Sequence, residues 1–155
     1  MELARNLKVE SVSRLQPPAP ICLQPQQTVT EAIDRMRLHR MGCVLVCAGE
    51  TLVGIFTERD LIRRILAPRL SLQTPLHECM TVQPVSVQPS ESVGTALRLM
   101  QEGGYRHLPI VTGFGKPVGI LSAKRFARYL VEHFPDTIYC LPPDPDQYPR
   151  QREGA

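Results

Sequence analysis

Val29-Thr30-Glu31-Ala32-Ile33-Asp34-Arg35-Met36 returns 64 positions later as Val93-Gly94-Thr95-Ala96-Leu97-Arg98-Leu99-Met100. A second match, Gly54-Ile55-Phe56-Thr57 against Gly119-Ile120-Leu121-Ser122, runs at an offset of 65. One residue is therefore inserted between the two matches. A repeat that cannot bury its apolar face alone buries it against its twin. The cleft between twins is then the first place to seek function.

Outward from these matches, each copy reads as strand, helix, strand, strand, helix. In the first, Ile21-Cys22-Leu23 is a short strand and Thr28 caps a helix, with Glu31 completing a capping box. Ala32, Ile33, Met36 and Met41 give that helix an apolar face. Cys43-Val44-Leu45-Val46-Cys47 is a buried strand, Ala48-Gly49-Glu50 a turn, and Leu52–Phe56 the next strand. Leu61, Ile62, Ile65 and Leu66 follow at helical spacing. In the second copy, Val85-Ser86-Val87 is the opening strand and Ser92 caps a helix bearing Val93, Ala96, Leu97 and Met100. Strands at His107–Val111 and Val118–Leu121 flank a turn, and Phe126, Tyr129 and Leu130 mark the last helix. Pro109 inside a strand argues for an edge or an irregular pairing. The fold class is α/β (α+β). The chain divides into a lead-in at 1–15, repeats at 16–70 and 71–133, and a proline-rich tail at 134–155 that is expected to be extended.

A chain of 155 residues, 43% hydrophobic, suits one soluble unit with a sizeable core. Net charge is +3, without any run of five like charges, which argues against nucleic acid as a partner. No signal peptide and no membrane span are read, since no stretch of about 18 apolar residues occurs. Five cysteines, at 22, 43, 47, 79 and 140, make a poor disulfide framework and point to a reducing cytoplasm. Cys43 and Cys47 share one strand face as small hydrophobes. His77-Glu78-Cys79 offers two metal ligands, but no second pair stands at zinc spacing, so no metal is expected.

The strongest local motif is Gly54-Ile55-Phe56-Thr57-Glu58-Arg59-Asp60, a strand that ends where a helix begins. Orphan N–H groups at a helix start favour an anion, a Thr57 hydroxyl can donate to phosphate, and Asp60 can accept ribose hydroxyls. Thr57-x-x-Asp60 is equally an ordinary helix N-terminal box. Arg106 and His107, ahead of a strand, could grip a phosphate, or could be a solvated charge and a satisfied imidazole. The matching first-copy residues, Gly42 and Cys43, can do neither.

Taken together, GIFTERD, YRHLPIV, the paired Pro-Ile-Cys-Leu-Gln-Pro and Pro-Val-Ser-Val-Gln-Pro openers and the A-I-x-x-M helix pattern resemble a CBS-domain pair, or Bateman module, over roughly residues 16–132. The resemblance implies a pseudo-twofold disc of two packed repeats that binds adenosine nucleotides in the clefts between them. It implies phosphate contact by Thr57, Arg106 and His107, ribose contact by Asp60, and a base bordered by Pro84, Val85 and Ser86. Gly54 and Phe56 complete the expected ligand set. At the twin cleft, Ser122-Ala123-Lys124-Arg125 puts a donor-only guanidinium where the family often has aspartate. With Gly42 and Cys43 supplying no cation there, the second cleft is expected to be disabled. No nucleophile with an adjacent base and no Walker loop appears. The expectation is a non-catalytic sensor of AMP, ADP or ATP, with no required cofactor, acting as a homodimer on an unknown partner protein. The alternative is an interaction module without a nucleotide.

Overall fold

Thr28 begins the first well-capped helix as its pattern requires. Its hydroxyl accepts the Glu31 N–H at 3.3 Å while the Glu31 carboxylate accepts the Thr28 N–H at 2.7 Å. The computed structural model describes residues 2–139. In chain order it contains α1 (Glu2–Val9), a 3₁₀ turn (Val12–Leu15), β1 (Cys22–Leu23), α2 (Val29–His39), β2 (Cys43–Ala48) and β3 (Thr51–Thr57). Next come α3 (Glu58–Asp60), running into a π-helical stretch at Leu61–Leu66, then α4 (Leu76–Cys79) and β4 (Thr81–Val82). The second half holds α5 (Val93–Gly103), β5 (His107–Val111), β6 (Pro117–Ser122), α6 (Ala123–His133) and α7 (Pro135–Tyr139).

β1 to β4 form one sheet in that order, with β1 parallel to β2 and the other neighbours antiparallel. β5 and β6 form a second, antiparallel sheet. Each hairpin carries an irregularity at the same place, between Val46 and Cys47 and between Ile110 and Val111. The inserted residue lies in the longer turn between β5 and β6. The expected strand Val85–Val87 shrinks to a single parallel bridge from Val87 to Ile110. Pro109 explains the loss: it has no N–H, so only its carbonyl serves Val87, at 3.0 Å.

The lead-in is not an appendage. Val12–Leu15 is the twin of Leu76–Cys79, 64 positions on. The Val12 N–H donates to Glu91 O at 2.8 Å and the Val93 N–H to Glu10 O at 2.8 Å. Leu76 to Gln27 and Val29 to Thr74 repeat this pattern at 2.8 and 3.0 Å. Each segment therefore closes the core of the other repeat. Val12 and Leu15 pack with Val93, Met100, Leu121 and Phe126, while Leu76 and Cys79 pack with Val29, Met36, Phe56 and Ile65. A third apolar layer joins the sheets: Cys43, Leu45, Cys47 and Ile55 meet Ile120.

Pro17-Pro18 sits opposite Gly119-Ile120 as Thr81–Val82 sits opposite Gly54-Ile55. The Ile120 N–H reaches Pro18 O at 3.2 Å, but the prolines return no donor, so the second sheet gains no strand there. The tail expectation is corrected at its start, because Pro135–Tyr139 is a short helix and Phe134 packs on the second core. From Cys140 onward the expected tail lies outside the described residues. No helix among the described residues is long and apolar enough to cross a membrane.

Candidate functional site

The end of β3 and the start of α3 deliver Thr57 and Asp60 to a cavity of about 430 Å³. The linker at Thr81–Val85 forms one wall, and Tyr105, Arg106 and His107, ahead of and at the start of β5, form the opposite one. Of the sequence-derived set, Thr57, Asp60, Pro84, Val85, Arg106 and His107 line this space together. Ser86, Gly54 and Phe56 do not. Phe56 is fully buried in the first core. Gly54 lies under the Met80 side chain, where a Cβ would collide, so it serves the docking of the linker on β3.

Asp60 is 9% exposed and richly bonded. Its Oδ2 accepts the Thr57 N–H at 3.0 Å and the Thr57 hydroxyl at 2.9 Å, and its own N–H donates to Thr57 Oγ1 at 3.2 Å. The N-terminal box is thus fully formed, and the Thr57 proton is directed to Asp60 rather than outward. Oδ1 is held more loosely, by the Thr81 hydroxyl at 3.3 Å and Arg64 Nε at 3.3 Å. Arg64 also donates to Met80 O at 2.7 Å, which ties the helix to the linker wall.

Arg59, Arg63 and Arg64 line the same cavity and were not singled out in the sequence. Arg63 and Arg64 stand three and four positions beyond Asp60, the spacing that puts side chains on one helical face. That signal was available. The contribution of Thr81, Val82 and Gln83 was not, because it depends on β4 pairing with β3. Arg59 Nη1 donates to Gly104 O at 3.3 Å and crosses from one repeat to the other. The Tyr105 ring lies over Gly103, where a side chain would collide.

Burial holds the His107 imidazole below its ordinary range, Arg106 adds to this, and the Glu58 carboxylate opposes it. Its ring also explains Gly42: a Cβ there would stand 3.1 Å from His107 Cε1 and 3.3 Å from Glu58 Oε2. Gly42 is therefore the space that lets the second-repeat histidine lie against the first repeat.

The twin cleft, about 230 Å³, is lined by Ser122, Arg125, Gly42 and His107, among others. The expectation that the partner side of this cleft supplies no cation is corrected by Arg40. Arg40, Lys124 and Arg128 line it beside Arg125. Arg40 closes α2 in the left-handed conformation, φ 52°, so the helix ends earlier than Met41 and turns this side chain toward the cleft. Cys43, by contrast, is buried behind it, and burial, with Glu58 adding, pushes its thiol up to about 12.

Two family-model matches to the CBS domain, at residues 12–67 and 76–132, cover most of the chain. The chain belongs to the CBS-domain family, as a tandem pair. It is 34% identical over 111 residues to an uncharacterized 17.7 kDa protein of Acidianus ambivalens, covering 71% of this chain and 66% of that one. It is 37% identical over 89 residues to the CBS domain-containing protein YhcV of Bacillus subtilis, covering 57% of this chain and 64% of that one. The chain thus spans just under two thirds of the length of these relatives. A CBS domain protein from Pyrobaculum aerophilum, solved in complex with AMP, superposes with a TM-score of 0.70 at 26% identity, over 75% of this chain and 89% of that one.

Proposed function

We propose that this chain is a non-catalytic regulatory module that takes one adenosine nucleotide, of the AMP, ADP or ATP type, in the cleft between Asp60 and Arg106. One observation carries it: a carboxylate from one repeat and a guanidinium from the other line a single cavity of about 430 Å³. Asp60 Oδ1 has only 3.3 Å contacts to exchange for ribose hydroxyls. Arg106, with His107 and Arg63, offers donors to phosphate, and Pro84 and Val85 border the base. The AMP complex of the Pyrobaculum relative supports this assignment. Binding across both repeats would fix their mutual position and so alter the surface offered to a partner protein. We place the chain in the cytoplasm, as a homodimer, with exposed Ile62 and Leu66 on the helical face available to a second copy.

A specific observation favours the alternative of an interaction module without nucleotide. Asp60 is already satisfied by Thr57, Thr81 and Arg64, so the site does not demand a ligand. Titration calorimetry with AMP, ADP, ATP, adenosine and 3′-deoxyadenosine monophosphate separates the two. The deoxy ligand tests the ribose contact without disturbing the α3 cap. Asp60→Ala is expected to weaken AMP by about 1–3 kcal/mol. Arg106→Ala is expected to weaken the phosphorylated ligands and to spare adenosine. At 100 times its dissociation constant a bound nucleotide adds roughly 2.7 kcal/mol of stability, a rise of roughly 5–10 °C for a chain of this size. If no adenine compound at millimolar concentration moves the melt, the interaction module is the correct assignment.

A further inference from the structure

We propose that the second cleft is a binding site for a compact polyphosphate anion of the pyrophosphate class. Four cations, Arg40, Lys124, Arg125 and Arg128, line a space of about 230 Å³, and no carboxylate lines it. None of the four belongs to an ion pair among the described residues. Four like charges around one concavity repel each other, and a multivalent anion is the partner that relieves all of them at once.

Comparison with the twin cleft shows how the chemistry is inverted. There the Thr57 hydroxyl spends its proton on Asp60. Here Arg125 stands in place of the carboxylate. Ser122 Oγ accepts the Arg125 N–H at 3.2 Å, and among the described residues its own proton has no acceptor, so it is free to donate to a phosphate oxygen. Arg125 Nη1 is anchored on Leu15 O at 3.3 Å, which fixes the guanidinium in the wall. The charged groups here are all donors, and none offers ribose hydroxyls the carboxylate acceptor that Asp60 provides in the other cleft. The smaller volume also disfavours a whole nucleotide.

Arg40 adds an independent indication. It adopts φ 52°, a region that favours glycine, whereas its twin in the other repeat is Gly104 at φ 65°. The chain keeps a long cation where its own repeat shows that glycine suffices. The fused phosphates could come from free pyrophosphate or from the end of a nucleotide polyphosphate chain. The proposal stands whether or not the first cleft takes a nucleotide.

The test is titration of the full chain with pyrophosphate, tripolyphosphate, orthophosphate, AMP and ATP at about 0.15 M salt. One pyrophosphate per chain is expected, bound more tightly than orthophosphate. Arg128→Ala and Arg40→Gly should each weaken it roughly tenfold, the scale of one charge-assisted hydrogen bond. Arg40→Gly should leave the melting temperature equal or higher, since glycine suits that backbone, so its loss of affinity is not a folding defect. Competition by ATP but not by AMP identifies the phosphate end of a nucleotide as the source; competition by neither identifies the free anion. No binding at millimolar pyrophosphate, equal binding of orthophosphate, or a loss from Arg106→Ala matching that from Arg128→Ala would each overturn the proposal.

Discussion

The imidazole of His107 sits where both clefts meet, and its charge state is set by competing neighbours. Burial and Arg106 resist protonation, and Glu58 favours it, with burial the largest effect. In the unfolded chain the group titrates at its ordinary value near 6.5; in the folded chain it titrates lower. Above that ordinary value both states are neutral and nothing is gained or lost. As pH falls below it, the unfolded chain takes up a proton that the folded chain resists, so stability declines. His107→Gln should flatten this decline. Urea midpoints at pH 7.5, 6.5 and 5.5 measure it, and identical slopes in the two proteins would contradict the assigned environment. A similar local balance governs the thiols. A hydrogen bond with the Cys47 thiol lowers exposed Cys22 to about 7, against an opposing contribution from burial. Burial raises Cys43 to about 12 and also raises Cys79. Iodoacetamide at pH 7 should therefore modify Cys22 first among the four described cysteines. Cys47→Val should slow that reaction by removing the donor, and peptide mass spectrometry over time reads both results.

Single elements show why some of this fold was legible and some was not. Helices α2 and α5 follow from their caps and from the periodicity of Val29, Ala32 and Met36 and of Val93, Ala96 and Met100, all local signals. The hairpins follow from apolar runs broken by glycine-bearing turns. In the sequence the Val12–Leu15 turn is legible only as part of the lead-in, because its partners lie some 80 to 115 positions away in the chain. Its value appears only in the tertiary structure, where Val12 is fully buried and the Tyr129 hydroxyl donates to the adjacent Glu10 carboxylate. Leu15→Ala should cost about 2–5 kcal/mol, the range for a leucine truncated in a closed core. Chemical denaturation checks it, and a loss below about 0.5 kcal/mol, the scale of a surface substitution, would return the segment to the status of an appendage. The site divides along the same line. The α3 start and the Arg106-His107 pair were visible as motifs. Of the linker wall, Pro84 and Val85 entered through the family resemblance, whereas Thr81, Val82 and Gln83 were hidden, since nothing local marks Thr81–Val82 as a strand. Phe56 was misplaced because a motif residue on a strand alternates between cleft and core, and local sequence does not say which face is which.

At the scale of the whole molecule, the exchange of closing segments makes the two repeats one folding unit. The first core needs Leu76 and Cys79 from the start of the second half, and the second core needs Val12 and Leu15 from near the start of the chain. The layer of Cys43, Leu45, Cys47, Ile55 and Ile120 adds a shared interior between the sheets. Contacts between the hairpin tips reinforce it: Leu52 N–H donates to Gly115 O at 2.9 Å, and Lys116 Nζ lies 3.1 Å from Glu50. A defect in one core should therefore be felt in the other. The chain offers a direct way to see this, because it has no tryptophan and its four tyrosines, at 105, 129, 139 and 148, all follow the first repeat. Tyrosine fluorescence reports the second half, whereas far-ultraviolet circular dichroism reports both. Leu76→Ala empties part of the first core and should destabilise by about 2–5 kcal/mol. With one cooperative unit, the tyrosine transition moves with the dichroism transition, by roughly 2–4 °C for each kcal/mol. If the repeats were independent, the fluorescence midpoint would stay at its wild-type value while the dichroism curve split in two, and the reciprocal closure of the cores would not be what holds the molecule together.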